Sequence, residues 1–321
     1  MSDPRPEAPL RIARPSLSLA LVLAALTLTA ARLPAQQLEP RSFPLRDVKS
    51  YSLTSPSMGV TYDISIGLPA GYEADPTRKY PTLILTDGNQ TFPIALDAAR
   101  SLASQGNIAD LILVSIGSPY EEGDDSWTRR RIYEFSPPDW ARTDKFGQGV
   151  SGFCQRLHSA EGRCTGGAPK FLNFITTELL PKVASAYRVD LDQLGLFGLS
   201  AGGFFAAWTI FQPNTPFKKY IISSPAMAYG DGDGYRQEER YAADHKDLNA
   251  GIYLASGSLE MSDPMLEGIG QIVSGMIRLS AALSGRGYPS LKLVTEIHPG
   301  LGHSDGASTT LNRGLRVLYA K

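Results

Sequence analysis

The segment from Leu194 to Phe211 constrains the fold of this chain more than any other. An apolar stretch, Leu194 to Phe197, leads directly into Gly198-Leu-Ser-Ala-Gly202, and a second apolar run follows as far as Phe211. This order predicts a buried strand, a tight turn and a helix, with small residues where the two backbones pass close together. A serine at such a turn projects its Oγ above the sheet, so Ser200 is the predicted nucleophile. A dinucleotide-binding turn is the alternative, but the segment lacks the G-x-G-x-x-G pattern.

Strand and helix patterns alternate along the rest of the chain. Ser57–Leu68 alternates apolar and polar residues, which is typical of a half-buried antiparallel strand. Short apolar runs predict further strands at Pro81–Thr86, Leu111–Ile116, Leu194–Phe197, Tyr220–Ser223, Ile252–Ala255 and Leu291–Ile297. Helical patterns lie at Ile94–Leu102, Phe171–Tyr187 (with a kink expected at Pro181), Gly202–Phe211, Pro264–Leu283 and Thr309–Tyr319. We therefore predict an α/β fold with a mostly parallel central sheet and helices on both faces.

The first 35 residues carry the pattern of a targeting segment. Three arginines precede an uncharged run, residues 15–31, whose part from Leu17 to Ala31 is continuously apolar, and small residues follow as far as Ala35. This pattern predicts a secretory signal peptide that is cleaved after Ala31 or Ala35. An uncleaved anchor is the alternative, because the uncharged run is near the lower limit for a spanning helix. We expect residues 36–321 to form one periplasmic or secreted domain that has no membrane association after cleavage.

Composition and cysteine content exclude several function classes. Lys plus Arg total 31 against 32 for Asp plus Glu, so the chain has no basic excess for binding nucleic acid. Its two cysteines and four histidines do not show the spacing of a zinc site, and no metal site is predicted. Cys154 and Cys164 enclose a short polar loop, and in an exported protein they are expected to form a disulfide. Two free thiols are the alternative.

The expected nucleophile needs a base and an acid, which follow the serine along the chain in this architecture. His298 and His303 both come late enough, and His303 is preferred because its glycine-rich loop lets the ring reach over the sheet edge. His298 closes the last strand and is expected at the rim. The acid is expected in the loop after the preceding strand, where Glu260 is the first choice and Asp263 and Glu267 remain alternatives. Each of these acids could instead stabilise a helix N-terminus.

Two backbone N–H groups are expected to form an oxyanion hole, the pair of donors that stabilises the negative oxygen of a tetrahedral intermediate. One is that of Ala201, directly after the nucleophile. The other is that of Asn89, in the turn that follows the Pro81–Thr86 strand, where Gly88 permits the tight backbone path.

Residues 118–170 do not follow the alternation of strands and helices and are rich in Gly, Pro, Arg and aromatic residues. An insertion of this length in a compact domain is usually a lid or a binding segment. Its part from Trp127 to Phe135 places three adjacent arginines among aromatic rings, which can pair with anionic groups and stack on flat ligands. We therefore predict that this part forms one wall of the substrate site. The alternative is internal pairing of the arginines with the acids of the segment, namely Glu121, Glu122, Asp124, Asp125 and Glu134.

Four motifs together resemble a known family. Leu85-Thr-Asp-Gly-Asn89, Gly198-Leu-Ser-Ala-Gly-Gly203, Gly257-Ser-Leu-Glu260 and Gly302-His-Ser304 resemble the putative-esterase branch of the α/β-hydrolases. This branch includes trilactone siderophore esterases, feruloyl and acetylxylan esterases, S-formylglutathione hydrolase and mycolyltransferases. The resemblance covers the chain from about Ser50 to its end. It implies an α/β-hydrolase fold and hydrolysis of carboxylic esters through an acyl-enzyme, without a metal or an organic cofactor.

Within this branch, Trp127–Pro137 is most similar to the siderophore-esterase subgroup, which has a comparable Arg-Arg-aromatic-acid-aromatic-Pro segment. Arg130 and Arg131 match that arginine pair, so they are the preferred substrate-binding residues, together with Trp127 and Tyr133. The sequence thus predicts an exported serine esterase that acts on a small-molecule ester. An acyltransferase of the same fold and an inactive exported binding protein are the alternatives, and the oligomeric state is left open.

Overall fold

A computed structural model describes residues 45–138, 164–213 and 215–321, and in these ranges eight strands form one sheet. The strands are β1 (Val48–Ser55), β2 (Val60–Gly67), β3 (Tyr80–Leu85), β4 (Ile112–Gly117), β5 (Val189–Leu199), β6 (Lys219–Ser223), β7 (Gly251–Gly257) and β8 (Lys292–His298). Their order across the sheet is β1-β2-β4-β3-β5-β6-β7-β8. The strands from β4 to β8 pair in parallel, whereas β2 pairs antiparallel with both β1 and β4. The predicted mostly parallel sheet is confirmed.

Helices cover both faces of the sheet. They are α1 (Gly88–Ser104), α2 (Gly123–Phe135), α3 (Ala168–Asn173), α4 (Leu180–Ala186), α5 (Ala201–Thr209), α6 (Asp233–Asp244), α7 (Ile272–Arg286) and α8 (His303–Tyr319). Successive side chains of a strand point to opposite faces, so Leu83 and Leu85 of β3 join one apolar cluster and Ile84 joins another. Residues of α1 and α8 complete the first cluster, and residues of α2, α3, α5 and α7 complete the second. This is the α/β-hydrolase architecture that the sequence predicts.

Two elements outside the 118–170 insertion were not predicted from the sequence. Strand β1 is the edge strand, and most of its side chains are exposed, so it lacks the apolar alternation that identifies a half-buried strand. Helix α6 has a polar composition, with Tyr235 and Glu238 among its few buried residues. In both cases the tertiary position, rather than a strong local pattern, determines the element.

The helix predicted at Phe171–Tyr187 consists of three parts. Helices α3 and α4 are joined by a wider π-helical turn, Phe174–Leu179, which directly precedes the first residues of α4. Pro181 is the second residue of α4 and has no N–H to donate, whereas the N–H of Leu180 before it donates to the Ile175 carbonyl across the π-helical turn. In place of the kink that we expected at Pro181, the structure shows a wider helical turn that ends two residues before it.

The described part of the 118–170 insertion is largely helical. A short turn, Tyr120–Glu122, leads into α2, which buries Ile132 and Phe135 against the core. Cys164 is buried, but Cys154 lies outside the described residues, so their disulfide stays a prediction.

The expected signal segment, residues 1–35, also lies outside the described residues, and its boundary stays a prediction. Within the ranges that are described, no helix combines the length and the apolar character needed to cross a membrane.

Candidate active site

The turn between β5 and α5 presents Ser200 at the carboxyl edge of the sheet. Ser200 has φ 60° and ψ −115°, a backbone conformation that is costly for a residue with a Cβ and is concentrated at functional sites. Its N–H donates to the Ser223 carbonyl (3.0 Å), and its own carbonyl accepts from the Ala226 N–H (3.0 Å). A Cβ at Gly202 would lie 2.6 Å from Thr86 Oγ1, so the turn needs a glycine there. The predicted strand–turn–helix unit is confirmed.

Glu260 and His303 meet at the same edge. Glu260 follows β7 in a short turn and is 1% exposed, and its Oε2 lies 3.2 Å from His303 Nδ1. His303 opens α8, rather than lying in a loop as the sequence suggested, and a quarter of its side chain is exposed (25%). The arrangement suits an acid that fixes the orientation of an imidazole.

The other two acids considered in the sequence have different partners. Asp263 accepts the N–H groups of Met265 and Leu266, and Glu267 accepts those of Val273 and Ser274 at the start of α7. Both carboxylates therefore serve local turns and a helix N-terminus, as the alternative interpretation of such acids expects.

His298 is buried at the end of β8 and has no contact with Glu260 in the described part of the chain. Its exposed fraction is 5%, and its Nδ1 lies 3.8 Å from Glu296 Oε2. Burial lowers the pKa of this imidazole, which favours its neutral form. The geometry thus favours His303 over His298 as the base.

Ser224 is a site residue that the sequence analysis missed. It directly follows β6, is fully buried and has φ 44°. Its Oγ donates to Glu260 Oε1 (2.7 Å), which also accepts the Gly257 N–H (2.9 Å). These two donors occupy one carboxylate oxygen and leave Oε2 directed at His303. The only sequence signal is a serine directly after a predicted strand, which is too common to be informative.

Two helix N-termini lie side by side at the sheet edge that carries Ser200. Strands β3 and β5 are neighbours, with Leu85 opposite Phe197, so α1 and α5 begin at the same edge of the sheet. The N–H groups of Asn89 and Ala201 lie in the first turns of these helices, where intrahelical acceptors are lacking. Neither N–H has an acceptor among the described residues. Two unpaired donors at neighbouring helix N-termini can bind one negatively charged oxygen.

The Asn89 side chain has a different task from its backbone. Its Nδ2 donates to the Ser118 carbonyl (2.8 Å), and its Oδ1 accepts the Ser118 N–H (2.8 Å). This pair of bonds ties the turn after β3 to the end of β4. No hydrogen bond involves Ser200 Oγ within the described residues, and catalytic hydrogen bonds often tighten only when a substrate is bound.

The residues predicted to contact the substrate mostly contact the protein itself. Arg130 pairs with Glu122 and donates to the Thr61 carbonyl (2.5 Å), which is the internal pairing that we kept open for this arginine. Arg131 binds both carboxylate oxygens of Asp87, which the sequence analysis did not consider as a partner for the arginines. Since both guanidinium groups already have carboxylate partners, the geometry does not favour their direct pairing with an anionic substrate.

The two aromatic residues of the predicted wall also pack internally. The Tyr133 ring lies against Gly167, where a Cβ would come within 2.5 Å of it. The Arg131 guanidinium lies over the Trp127 ring, with its Cζ 4.9 Å from the ring centroid. A role of either ring in substrate binding stays a prediction.

Comparison with known proteins identifies related sequences and structures. A family model described as "Putative esterase" matches residues 55–264. Ferri-bacillibactin esterase BesA of Bacillus subtilis is 27% identical over 203 residues, which are 62% of this chain and 66% of that protein. The siderophore triacetylfusarinine C esterase of Aspergillus fumigatus is 25% identical over 301 residues, which are 87% of this chain and 96% of that protein. The crystal structure of the BES protein from Bacillus cereus superposes with a TM-score of 0.72 at 25% identity, covering 89% of this chain and 99% of that one.

Proposed function

The chain belongs to the esterase family whose model it matches, and from this premise we propose that it hydrolyses carboxylic esters through an acyl-enzyme on Ser200. The observation that carries the proposal is the Glu260–His303 contact of 3.2 Å at the edge where Ser200 occupies its strained turn. A pure binding protein of this fold has no need for a buried acid that orients an imidazole at the same sheet edge as such a serine.

In the proposed reaction, His303 Nε2 accepts the proton of Ser200 Oγ as Oγ attacks the ester carbonyl carbon. The resulting oxyanion accepts hydrogen bonds from the N–H groups of Asn89 and Ala201. Collapse of this intermediate breaks the bond to the alcohol, which leaves with the proton from His303. A water molecule then attacks the acyl-enzyme and gives a proton to His303, which returns it to Ser200 Oγ as the bond between Oγ and the acyl carbon breaks and the carboxylic acid leaves. Glu260 stays ionised and stabilises the imidazolium ion.

We propose a siderophore ester as the substrate. The support is similarity: the named relatives are a ferri-bacillibactin esterase, which this chain covers by 66%, and a triacetylfusarinine C esterase, which it covers by 96%. These two relatives act on different siderophores, so the proposal concerns the class of ester and not one member of it.

The test is a substrate panel with the purified protein. Iron-free and iron-loaded enterobactin, bacillibactin and triacetylfusarinine C are compared with a feruloyl ester and p-nitrophenyl butyrate, and products are identified by mass. We expect the highest kcat/KM for a siderophore, and no turnover with Ser200→Ala. A preference for the feruloyl ester would refute the substrate class, and transfer of the acyl group to an added alcohol in place of water would indicate an acyltransferase.

We also propose that the protein is exported and that Cys154 and Cys164 form a disulfide. The support is the basic-then-apolar pattern of residues 1–35 and the pair Cys154 and Cys164. Intact mass of the protein from fractionated cells should show cleavage after Ala31 or Ala35. Alkylation without reductant should leave both cysteines unmodified, whereas two alkylated thiols would refute the disulfide.

A further inference from the structure

Helix α2 contacts the turn that carries the Asn89 N–H, although the two are far apart in sequence. Arg131 Nε lies 3.1 Å from Asp87 Oδ1, and its Nη2 lies 3.2 Å from Asp87 Oδ2. This two-point contact fixes the plane of the carboxylate as well as its position. Asp87 is the residue immediately before α1, so the contact acts two residues from the donor N–H.

The guanidinium group is itself held in place. The Trp127 ring lies 4.9 Å from it and the Phe135 ring 5.8 Å, and only 17% of the Arg131 side chain is exposed. Burial alone would lower the pKa of Arg131, but Asp87 more than offsets this effect and leaves the pKa above its usual value. The pair is therefore a buried cation and anion that depend on each other.

Asp87 contacts the first turns of both helices that carry the proposed oxyanion donors. Its φ of 51° places it in the left-handed region, and its carbonyl accepts the N–H groups of Gln90 and Thr91 at the start of α1. Its Oδ2 lies 3.1 Å from where a Cβ on Gly202 would be, so the same carboxylate abuts the first turn of α5. An unneutralised carboxylate here would oppose negative charge on a nearby oxygen, since like charges repel strongly where water is scarce.

From these contacts we infer that Arg131 is a positioning residue of the oxyanion hole, which holds Asp87 in its strained turn and neutralises the carboxylate. This inference rests on the proposed esterase function. Arg131 would thus support the reaction without contacting the substrate. The geometry at Asn89 would depend on how α2 packs against the turn before α1.

The test compares Arg131→Met with Arg286→Met as a matched control. Arg286 also binds both oxygens of a buried carboxylate, Glu238 (2.8 Å each), but it joins α6 to α7 away from the site. The readouts are kcat and KM for neutral p-nitrophenyl butyrate and for an anionic p-nitrophenyl ester, and the affinity for a boronic acid that forms an anionic tetrahedral adduct with the serine. Melting temperatures are measured in parallel, so that activity is compared only where each variant is folded.

We expect Arg131→Met to lower kcat about tenfold or more at nearly constant KM, and to weaken boronic acid binding by a similar factor, because a misplaced donor loses mainly transition-state binding. Arg286→Met should change kcat and the affinity for the boronic acid by no more than about twofold, because this arginine is remote from the reacting groups. Asp87→Asn combined with Arg131→Met should recover part of the lost kcat, because the double variant has no unpaired charge. If Arg131→Met does not fold, Arg131→Lys, which keeps the charge but not the two-point contact, should show a smaller loss that is still confined to kcat.

Three results would overturn the inference. One is a kcat change no larger than that of Arg286→Met. Another is a raised KM at constant kcat, confined to anionic esters, which would mean that Arg131 contacts the substrate. The third is a double variant that is no more active than Arg131→Met. A wild-type protein that neither hydrolyses any ester nor binds the boronic acid would instead refute the proposed function itself, and this role with it.

Discussion

The turns at Ser200 and Asp87 both have positive φ, but their ψ angles (−115° and 45°) and their side-chain surroundings differ. Each joins a parallel strand to a helix through one residue with positive φ, 60° and 51°, and the Thr86 N–H links the two by donating to the Phe197 carbonyl (3.2 Å). The Ser200 hydroxyl has no hydrogen bond within the described residues, whereas the Asp87 carboxylate is bound by Arg131. The comparison teaches that a residue with positive φ between a strand and a helix can leave its side chain unpaired or bury it against a partner, depending on what lies within its reach.

The largest effect should come from removing the Ser200 hydroxyl or the His303 imidazole. Ser200→Ala and His303→Ala should each lower kcat by at least about 10³-fold with the fold intact, and the double variant should be little worse, because nucleophile and base act as a unit. Steady-state kinetics with circular dichroism spectra will check this. If His298→Ala abolished activity while His303→Ala did not, the base would be His298.

The close approach of the two turns can be broken at Gly202. Gly202→Ala would place a methyl group 2.6 Å from Thr86 Oγ1 and 3.1 Å from Asp87 Oδ2, so the turns must move apart. Overpacking at a buried position costs about 1–3 kcal/mol in the free energy of unfolding, and we expect kcat to fall as well. Urea unfolding and kinetics measure the two effects. Gly285→Ala is the control, since nothing lies within 4 Å of a Cβ there, and an equal loss in both variants would contradict the account.

A smaller effect is expected from the residue that orients the acid. Ser224→Ala removes one donor to Glu260 and should lower kcat roughly tenfold at constant KM, because a hydrogen bond to a charged group contributes about 1.5–3 kcal/mol. Ser223→Ala is a matched control, because its hydroxyl is equally buried and has no partner among the described residues. Equal kinetics in the two variants would show that Ser224 does not position Glu260.

The last effect is on stability and its pH dependence, and it concerns a buried carboxyl group of α2 that lacks a partner like that of Asp87. Glu134 accepts the Tyr62 hydroxyl (2.5 Å), and burial raises its pKa from 4.5 to about 7. The folded state thus favours the protonated form, so the contribution of Glu134 to stability is greatest below about pH 4.5 and is lost as the pH rises through 7. From the pKa difference the loss is on the order of 3 kcal/mol.

Glu134→Gln should therefore reduce the fall in unfolding free energy between pH 5 and pH 8, as measured by urea unfolding at both pH values. The Gln side chain keeps a hydrogen-bond acceptor for Tyr62 and cannot ionise, so packing changes little. An unchanged pH dependence in this variant would mean that Glu134 is ionised in the folded protein throughout this range.

The sequence predicts the parts of the site that local patterns encode. The turn at Ser200 follows from small residues between a buried strand and a helix, and the order of Glu260 and His303 follows from chain direction in a parallel sheet. The partner of Arg131 could not be predicted, because it depends on where α2 packs against the sheet. Ser224 carries no motif, and its role exists only because β6 ends beside the Glu260 turn.

The carboxylate partners of Arg130 and Arg131 could not be identified from the sequence for the same physical reason. A cluster of arginines and aromatic rings has the same sequence pattern whether it faces a ligand or the protein's own carboxylates. Only the tertiary structure shows that Glu122 and Asp87 lie within reach of the two guanidinium groups.

The most direct test of the account is to trap the acyl-enzyme. The protein is mixed with a slowly deacylating p-nitrophenyl ester, quenched in acid within the burst phase, and digested for peptide mass mapping. The account predicts one acyl group, located on the Ser200 side chain and missing from Ser200→Ala and His303→Ala. Hydrolysis at the wild-type rate with no acylated peptide, or with the acyl group on another residue, would contradict it.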